Sequence, residues 1–245
     1  MPTIYLSPSS QEFNTTILGP SEEYYMNLIA DAMEPYLDSS GIRYTRNNPN
    51  NTASGHIAES NAGQYDLHLA LHSNAAAGAN AGRVRGSEVY YYPYSANGQR
   101  AAEIIARNLQ EIYPLPNQVR TIPTTSLGEV ARTRAPAVLI EFAFHDNYED
   151  ATWIAENIEA IARNVVLSLT EYFGIPFVEP QVDQAGMVQV DGPVYLYSMP
   201  STTSQVVATL FRGDQVTVVG TWHSWYVVHY GNAVGYIQQE YITLI

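Results

Sequence analysis

The stretch DLHLALHSNA, residues 66–75, decides how the rest of the sequence is interpreted. It predicts a short buried strand over 67–71 that ends in a histidine and an amide side chain. Since side chains alternate across a strand, His68 and His72 share one face and the leucines share the other. His72 falls at the C-terminal end of the strand, the edge where open α/β sheets bind ligands. A neutral imidazole there is a common metal ligand, and the alternative is a histidine held by a hydrogen bond in the core.

Strands and helices alternate through the first two-thirds of the chain. The apolar runs predict strands at 3–6, 42–45, 67–71, 87–92 and 137–142. Helical spacing predicts helices that follow caps at Ser21 and Asn147, and others over 55–62 and 99–113. This alternation predicts an α/β fold with an open, mostly parallel sheet flanked by helices on both faces.

The pattern changes after residue 175. A linker with two prolines, 176–185, precedes sixty residues without helical periodicity. Short strands separated by Gly, Pro, Ser and Asn turns are predicted at 194–197, 206–210, 215–219, 225–229 and 235–237. We therefore predict a domain over 1–175 and a small all-β, SH3-like barrel over 186–245.

Composition excludes several classes of function. The net charge of -13, from 24 acids against 11 basic residues, argues against a nucleic-acid partner. The sequence has no cysteine, which excludes thiolate nucleophiles and cysteine zinc sites. No apolar run is long enough to insert into a membrane. Residues 1–20 lack the charged and apolar regions of a signal peptide, so we expect synthesis in the cytoplasm.

The candidate chemistry lies in the first domain. Glu141 ends the strand AVLIE, and a carboxylate there is costly to bury unless it is paired, solvated or used. Beside a metal it can take a proton from water and pass it to a leaving amine. Glu23 at a helix start is either a carboxylate ligand or an acid that stabilises the helix dipole. If Glu23 and His72 are both ligands, one ligand of a three-ligand zinc site is still unassigned.

Four elements in order resemble the zinc-dependent N-acetylmuramoyl-L-alanine amidases of the Amidase_3 type. They are Glu23 with Asn27, the run His72-Ser73-Asn74-Ala75, the strand GSEVYYY at 86–92, and PAVLIE at 136–141 followed by Phe144 and Asn147. The resemblance covers about residues 3–174. It implies that His72 and Glu23 are zinc ligands and that Glu141 is the general base. We also expect Asn74 and His145 to contact the substrate, peptidoglycan.

The first zinc-binding histidine of that family is missing. The sequence reads Ser-Pro-Ser-Ser-Gln at 7–11, which places Ser10 in the histidine position and Gln11 one residue later. A glutamine oxygen is a weaker zinc ligand than imidazole, and a neutral serine is weaker still. Three possibilities stay open: Gln11 completes the site, His68 or His145 does, or no tight metal site exists.

The last sixty residues resemble a bacterial SH3b domain. The matching segments are GPVYLYS at 192–198, LFRGDQV at 210–216, WYVV at 225–228 and GYI at 235–237. Such domains often hold enzymes on the cell wall. Five aromatic residues are candidates to line a groove for a wall peptide or sugar, with packing in the core as the alternative: Tyr195, Tyr197, Trp222, Trp225 and Tyr230.

Two functions therefore compete. The first is a zinc-dependent peptidoglycan hydrolase that cuts the amide between N-acetylmuramic acid and L-alanine of the stem peptide. The second is a catalytically inactive amidase scaffold that binds the wall through its SH3b domain. In either case we expect the protein to reach the wall after release, by lysis or during sporulation. The phage, autolytic or sporulation role, the peptidoglycan chemotype and the oligomeric state are left open.

Overall fold

The structure is a computed structural model that describes residues 1–245. Its strands are β1 Thr3–Pro8, β2 Arg43–Arg46, β3 Leu67–Asn74, β4 Ser87–Tyr91, β5 Val119–Pro123, β6 Ala137–Phe144, β7 Gln184–Val188, β8 Val194–Tyr197, β9 Val206–Leu210, β10 Gln215–Trp222, β11 Trp225–Tyr230, β12 Ala233–Gln238 and β13 Ile242–Leu244. Its α-helices are α1 Glu22–Ser39, α2 Ala53–Ala62, α3 Ala96–Gln110, α4 Gly128–Ala131, α5 Tyr148–Glu156 and α6 Ile158–Phe173. None of these helices is long and apolar enough to span a membrane.

The chain forms two compact units. One contains Thr3–Met33 and Tyr44–Tyr172, and the other contains Met1–Pro2, Glu34–Arg43 and Phe173–Ile245. The second unit therefore consists of three separate segments of the chain, whereas the sequence pattern predicts its barrel in one continuous segment.

The first unit is built on a six-stranded sheet with the order β2-β1-β3-β6-β4-β5. Strand β3 runs parallel to β1 and to β6, whereas β4 is antiparallel to β6. The register places His72 of β3 beside Glu141 of β6, and Glu141 beside Glu88 of β4. Three polar residues thus lie on adjacent strands at one end of the sheet.

The side chains of residues 67–72 alternate between the two faces of β3, as the sequence predicts. Leu67, Leu69 and Leu71 are fully buried on one face of β3. On the other face, Ala70 packs with Leu139 of β6 and Val130 of α4. Helix α4 therefore covers the face that carries His68 and His72.

Helix α1 presents a buried stripe that begins with a carboxylate. Met26, Ile29 and Met33 are fully buried, four, seven and eleven residues after Glu22. The predicted cap at Ser21 forms, because its Oγ accepts a hydrogen bond from the Tyr24 amide at 3.2 Å.

Several elements differ from the sequence prediction. The long helix expected after Asn147 is divided into α5 and α6, with a break at Asn157. Its side chain donates to the carbonyl of Trp153 at 2.8 Å, so a polar residue offers the backbone an alternative partner there. Strand β5 and the one-turn helix α4 are absent from the sequence prediction because neither shows a clear period. Strand β7 begins within the predicted linker.

The second unit contains a seven-stranded sheet with the order β13-β7-β10-β11-β12-β8-β9. Its neighbouring strands pair in antiparallel orientation. Its main core consists of buried aliphatic residues from all seven strands: Val188, Val194, Leu196, Leu210, Val216, Val218, Val228, Ile237 and Ile242. The predicted fold class, an α/β sheet domain followed by an SH3-like all-β domain, is confirmed.

Candidate active site

The site forms where α1 begins against the end of β3. Glu22 is almost fully buried, and its Oε1 lies 2.8 Å from Nδ1 of His72. The backbone amide of Ser73 lies 3.5 Å from the same oxygen. An acid and an imidazole from separate segments of the chain therefore meet at the carboxyl edge of the sheet.

Glu23 does not take the position expected from the sequence. Its side chain is partly exposed on a surface groove shared with Ser21, Tyr24 and Asn27. Neighbouring positions on a helix point about 100° apart, so only one of two consecutive acids can face the sheet. The structure places Glu22 there, and the carboxylate beside His72 is corrected from Glu23 to Glu22.

Gln11 reaches the same point from the loop after β1. Its Nε2 lies 3.4 Å from Nδ1 of His72, and its Oε1 accepts a hydrogen bond from Asn14 at 2.8 Å. Asn14 also donates to Oε2 of Glu22 at 3.0 Å. Asn14 therefore orders both side chains that face the histidine, and no sequence pattern pointed to it.

Ser10, His145 and His68, the remaining candidates for the third zinc ligand, each have partners away from Nδ1 of His72. Ser10 donates to the carbonyl of Asn51 at 2.9 Å. Nδ1 of His145 pairs with the hydroxyl of Ser73 at 2.9 Å, and the residue is buried. His68 is fully buried, with Ser60 on one ring nitrogen and an acid of α4 on the other. Among the four candidates, Gln11 is the side chain that contacts His72.

The predicted substrate residues of this domain are anchored by hydrogen bonds. Asn74 donates to Oε2 of Glu88 at 3.0 Å and accepts from the amide of Ala75 at 2.8 Å. The backbone of His145 bridges two loops, since its amide donates to the carbonyl of Asn74 and its carbonyl accepts from Ile17. A direct role in substrate contact stays a prediction for both.

A second carboxylate, Glu129 of α4, faces the other ring nitrogen of His72. The distance from its Oε2 to Nε2 of His72 is 3.5 Å. Its Oε1 accepts from the hydroxyl of Ser7 at 2.6 Å and lies 3.2 Å from Nε2 of His68. No sequence pattern pointed to this buried acid, because it lies on a four-residue helix that is too short to show a period.

Glu141 lies one strand away, and one of its carboxylate oxygens lacks a partner. Its Oε2 atom is buried without a hydrogen bond. Burial raises the pKa of Glu141 to about 7, with the nearby charge of His72 opposing the shift and those of Glu22 and Glu88 adding to it. A carboxylate with such a pKa can exchange a proton near neutral pH.

The charges around His72 are strongly coupled. Burial favours a lower pKa for His72, but Glu129 and Glu22 outweigh it and raise the pKa to about 10. Burial likewise opposes ionisation of Glu129, yet the contacts with His68 and His72 hold its pKa well below the usual range. The two carboxylates therefore favour the protonated form of His72 when no metal is bound.

The donor atoms around Nδ1 of His72 define the possible metal chemistry. No group of three or more His, Asp or Glu side chains is arranged to hold a metal ion. An imidazole nitrogen and a carboxylate oxygen are present, and the amide of Gln11 presents its oxygen to this point only if it turns over and gives up the hydrogen bond from Asn14. Nitrogen with oxygen donors suits zinc, and three protein ligands with an open position are typical of catalytic zinc. The residues present therefore fit zinc, with a weak third ligand.

The barrel carries a row of contacting aromatic rings. Tyr195 and Tyr197 lie edge to face with centroids 6.3 Å apart, and Tyr197 lies edge to face with Trp225 at 5.8 Å. Trp222 is opposite Trp225 in the β10–β11 ladder and packs on the small core formed by Val178, Val219 and Val227. Tyr195 is 41% exposed, so it is the ring in this row most open to a ligand.

The fold and site together define an α/β domain with an acid–histidine cluster at the carboxyl edge of its sheet, joined to an SH3-like domain. The family model "N-acetylmuramoyl-L-alanine amidase" matches residues 11–171, and the model "Bacterial SH3 domain" matches residues 192–243. The chain belongs to the N-acetylmuramoyl-L-alanine amidase family.

Individual relatives agree with this assignment. N-acetylmuramoyl-L-alanine amidase LytC of Bacillus subtilis is 28% identical over 163 residues, which are 64% of this chain and 32% of that protein. The match thus spans about a third of that relative. The catalytic domain of the CD27L endolysin targeting Clostridia Difficile is 24% identical, with a TM-score of 0.59 over 70% of this chain and 98% of that one. An N-acetylmuramoyl-L-alanine amidase from Clostridium difficile 630 is 16% identical, with a TM-score of 0.62 over 71% and 97%. Both structural likenesses concern the fold.

Proposed function

We propose that this protein is a peptidoglycan hydrolase that cleaves the amide between N-acetylmuramic acid and L-alanine of the stem peptide. The family assignment supports the reaction class. The observation that carries the proposal is the buried Oε2 atom of Glu141, which has no hydrogen-bond partner and belongs to a group one strand from His72 with a pKa raised to about 7. Leaving such a group without a partner costs stability, and catalysis explains why it is present.

Glu22, His72 and Gln11 would hold the zinc ion in this proposal. Bound zinc supplies a Lewis acid that polarises the amide carbonyl and makes water a better nucleophile. Glu141 takes a proton from the attacking water and then gives it to the departing amine. Its raised pKa suits both steps, since a group that titrates near the working pH can accept and release a proton.

The barrel would keep the enzyme on its substrate. The exposed ring of Tyr195, with Tyr197 and Trp222, supplies aromatic surface of the kind that binds sugars and peptides. We propose that the protein acts at the bacterial cell wall.

The test compares wild-type protein with Glu141→Gln on purified peptidoglycan. Amine release and zinc content are measured together. We expect about one zinc per wild-type chain, and a loss of activity of about 10²- to 10⁴-fold in the variant with its zinc retained. Gln11→Ala should lower zinc affinity, whereas Ser10→Ala should not, because Ser10 bonds to the carbonyl of Asn51.

The competing function gives a different result. A wall-binding scaffold would release no amine above background even after reconstitution with zinc, yet would still sediment with the wall. The missing histidine and the absence of a group of three conventional ligands favour this second candidate. Wall binding without amine release, in protein reconstituted with zinc, would overturn the hydrolase proposal.

A further inference from the structure

A buried cluster of polar side chains lies behind His72, away from Glu22. Its centre is the carboxylate of Glu129, whose side chain is 4% exposed. Three histidines surround this acid: His72 at 3.5 Å, His68 at 3.2 Å and His56 at 3.9 Å. Burying a carboxylate is costly unless it is paired, so a single acid among three imidazoles requires an explanation.

His72 has one satisfied and one unsatisfied ring nitrogen. Nδ1 lies 2.8 Å from Glu22, within hydrogen-bond distance. Nε2 is buried and has no hydrogen-bond partner. The 3.5 Å separation from Oε2 of Glu129 is within ion-pair distance but longer than a good hydrogen bond, so a small movement of the ring closes it.

Glu129 is itself held by its other oxygen. The hydroxyl of Ser7 donates to Oε1 at 2.6 Å, and Nε2 of His68 lies 3.2 Å from the same atom. Nδ1 of His68 in turn pairs with Ser60 at 3.0 Å. Both lateral contacts therefore fall on Oε1, and Oε2 stays directed at His72.

We propose that Glu129 is a positioning residue that accepts the Nε2–H of His72 and so keeps Nδ1 of the ring turned toward Glu22 and Gln11. This inference rests on the proposed function, in which Nδ1 is the metal-binding atom. A hydrogen bond from the second nitrogen fixes both the tautomer and the orientation of a metal-binding histidine. With Gln11 as a weak third ligand, orientation of the one imidazole matters more here than in a site with two.

Glu129→Gln is the main test because it preserves shape while removing one acceptor. Its amide has a single oxygen, so it cannot accept from Ser7 and His68 on one side and from His72 on the other. Glu129→Met, which accepts from neither side, is the second variant. Asp150→Asn is the matched control, since Asp150 is a fully buried carboxylate bonded to Arg85 and Tyr113 that does not contact His72.

The first measurement is zinc affinity by chelator competition, which does not depend on catalysis. We expect both Glu129 variants to bind zinc about 10- to 100-fold more weakly than wild type. Asp150→Asn should lower the melting temperature and leave zinc affinity unchanged. Equal zinc affinity in wild type and Glu129→Gln would overturn the proposal.

The second measurement is ¹⁵N NMR of the histidine rings in the metal-free protein. We expect the Nε2–H of His72 to exchange slowly with water in wild type and measurably faster in both Glu129 variants. Unchanged exchange in the variants would contradict the role of Glu129. If wild type binds no zinc, the metal part of the proposed function fails, but this comparison still decides whether Glu129 holds the ring. Should Glu129→Met not fold, Ser7→Ala takes its place, with a smaller loss in the same direction.

Discussion

Glu22 and Glu23 are adjacent and chemically identical but lie in different environments, so they provide a matched pair for mutation. Glu22 contacts His72, while Glu23 lies on a surface groove. We expect Glu22→Gln to weaken zinc binding by at least about tenfold, because a carboxylate ligand is lost. Glu23→Gln should stay within about twofold of wild type. Chelator competition measures both, and the reverse ranking would restore the assignment based on sequence spacing.

The sequence contained a cue for Glu22 that the family pattern obscured. Glu-x-x-x-Asn spacing selects Glu23 with Asn27, but Asn27 instead donates to the carbonyl of Glu23 and accepts from Arg46. Met26, Ile29 and Met33 form the buried stripe of α1, and extending this stripe by one helical turn toward the N-terminus reaches Glu22. By contrast, His72 and Glu141 were predictable because each follows the apolar run of a strand and lies in its C-terminal half, where face and edge follow from alternation and strand direction.

Protonation of His72 predicts how the stability of the metal-free protein depends on pH. Its pKa is raised to about 10 from an ordinary value of 6.5, so its stabilising contribution is complete below pH 6.5 and is lost as pH rises toward 10. The raised pKa of Glu141 acts in the same direction between about pH 4.5 and 7. We expect the free energy of unfolding to fall as pH rises from 7 to 10.

Urea unfolding at several pH values measures this slope. His72→Gln should flatten it above pH 7, because the titrating ring is gone. Zinc should also flatten it if Nδ1 coordinates the metal, since the metal then replaces the proton. A slope that is equally steep in His72→Gln would assign the effect to another group.

At the scale of elements, strands were more predictable than short helices. The leucines of β3 and the valines of the barrel define their strands by burial and alternation. Helix α4 has four residues, too few to show a period, and its place depends on Val130 packing against Ala70 and Leu139. Glu129 was missed for that reason: tertiary packing, which no local pattern encodes, determines its position.

Strand β8 carries Tyr195 and Tyr197, two rings of the aromatic row of the barrel. Tyr195→Ala should lower affinity for purified cell walls by about 5- to 30-fold, because it removes the most exposed ring of the row. Phe211→Ala is the matched control, since Phe211 is a more exposed aromatic residue that precedes a turn on the same barrel. A co-sedimentation assay reports both, and an equal loss in the two variants would indicate general apolar adhesion.

At the scale of the molecule, charge is distributed unevenly. The net charge is -13, but residues 186–245 contain three acids, Asp191, Asp214 and Glu240, against one basic residue, Arg212. Arg212 is already paired with Asp191 at 2.8 Å. Most of the negative charge therefore belongs to the remainder of the chain, and the nearly neutral barrel is the part suited to contact an anionic wall.

This distribution predicts an unusual salt dependence of wall binding. Peptidoglycan carries free carboxylates, so an acidic protein is repelled over a screening length of about 30 Å at 0.01 M salt and about 8 Å at 0.15 M. We expect affinity for purified peptidoglycan to increase between these concentrations. Binding to an uncharged polysaccharide should not change, which makes it the control. If binding to peptidoglycan weakened instead, cationic side chains would have to drive it. Arg212 is the only Lys or Arg residue of the barrel, so the contact surface would then lie among the arginines of the amidase domain.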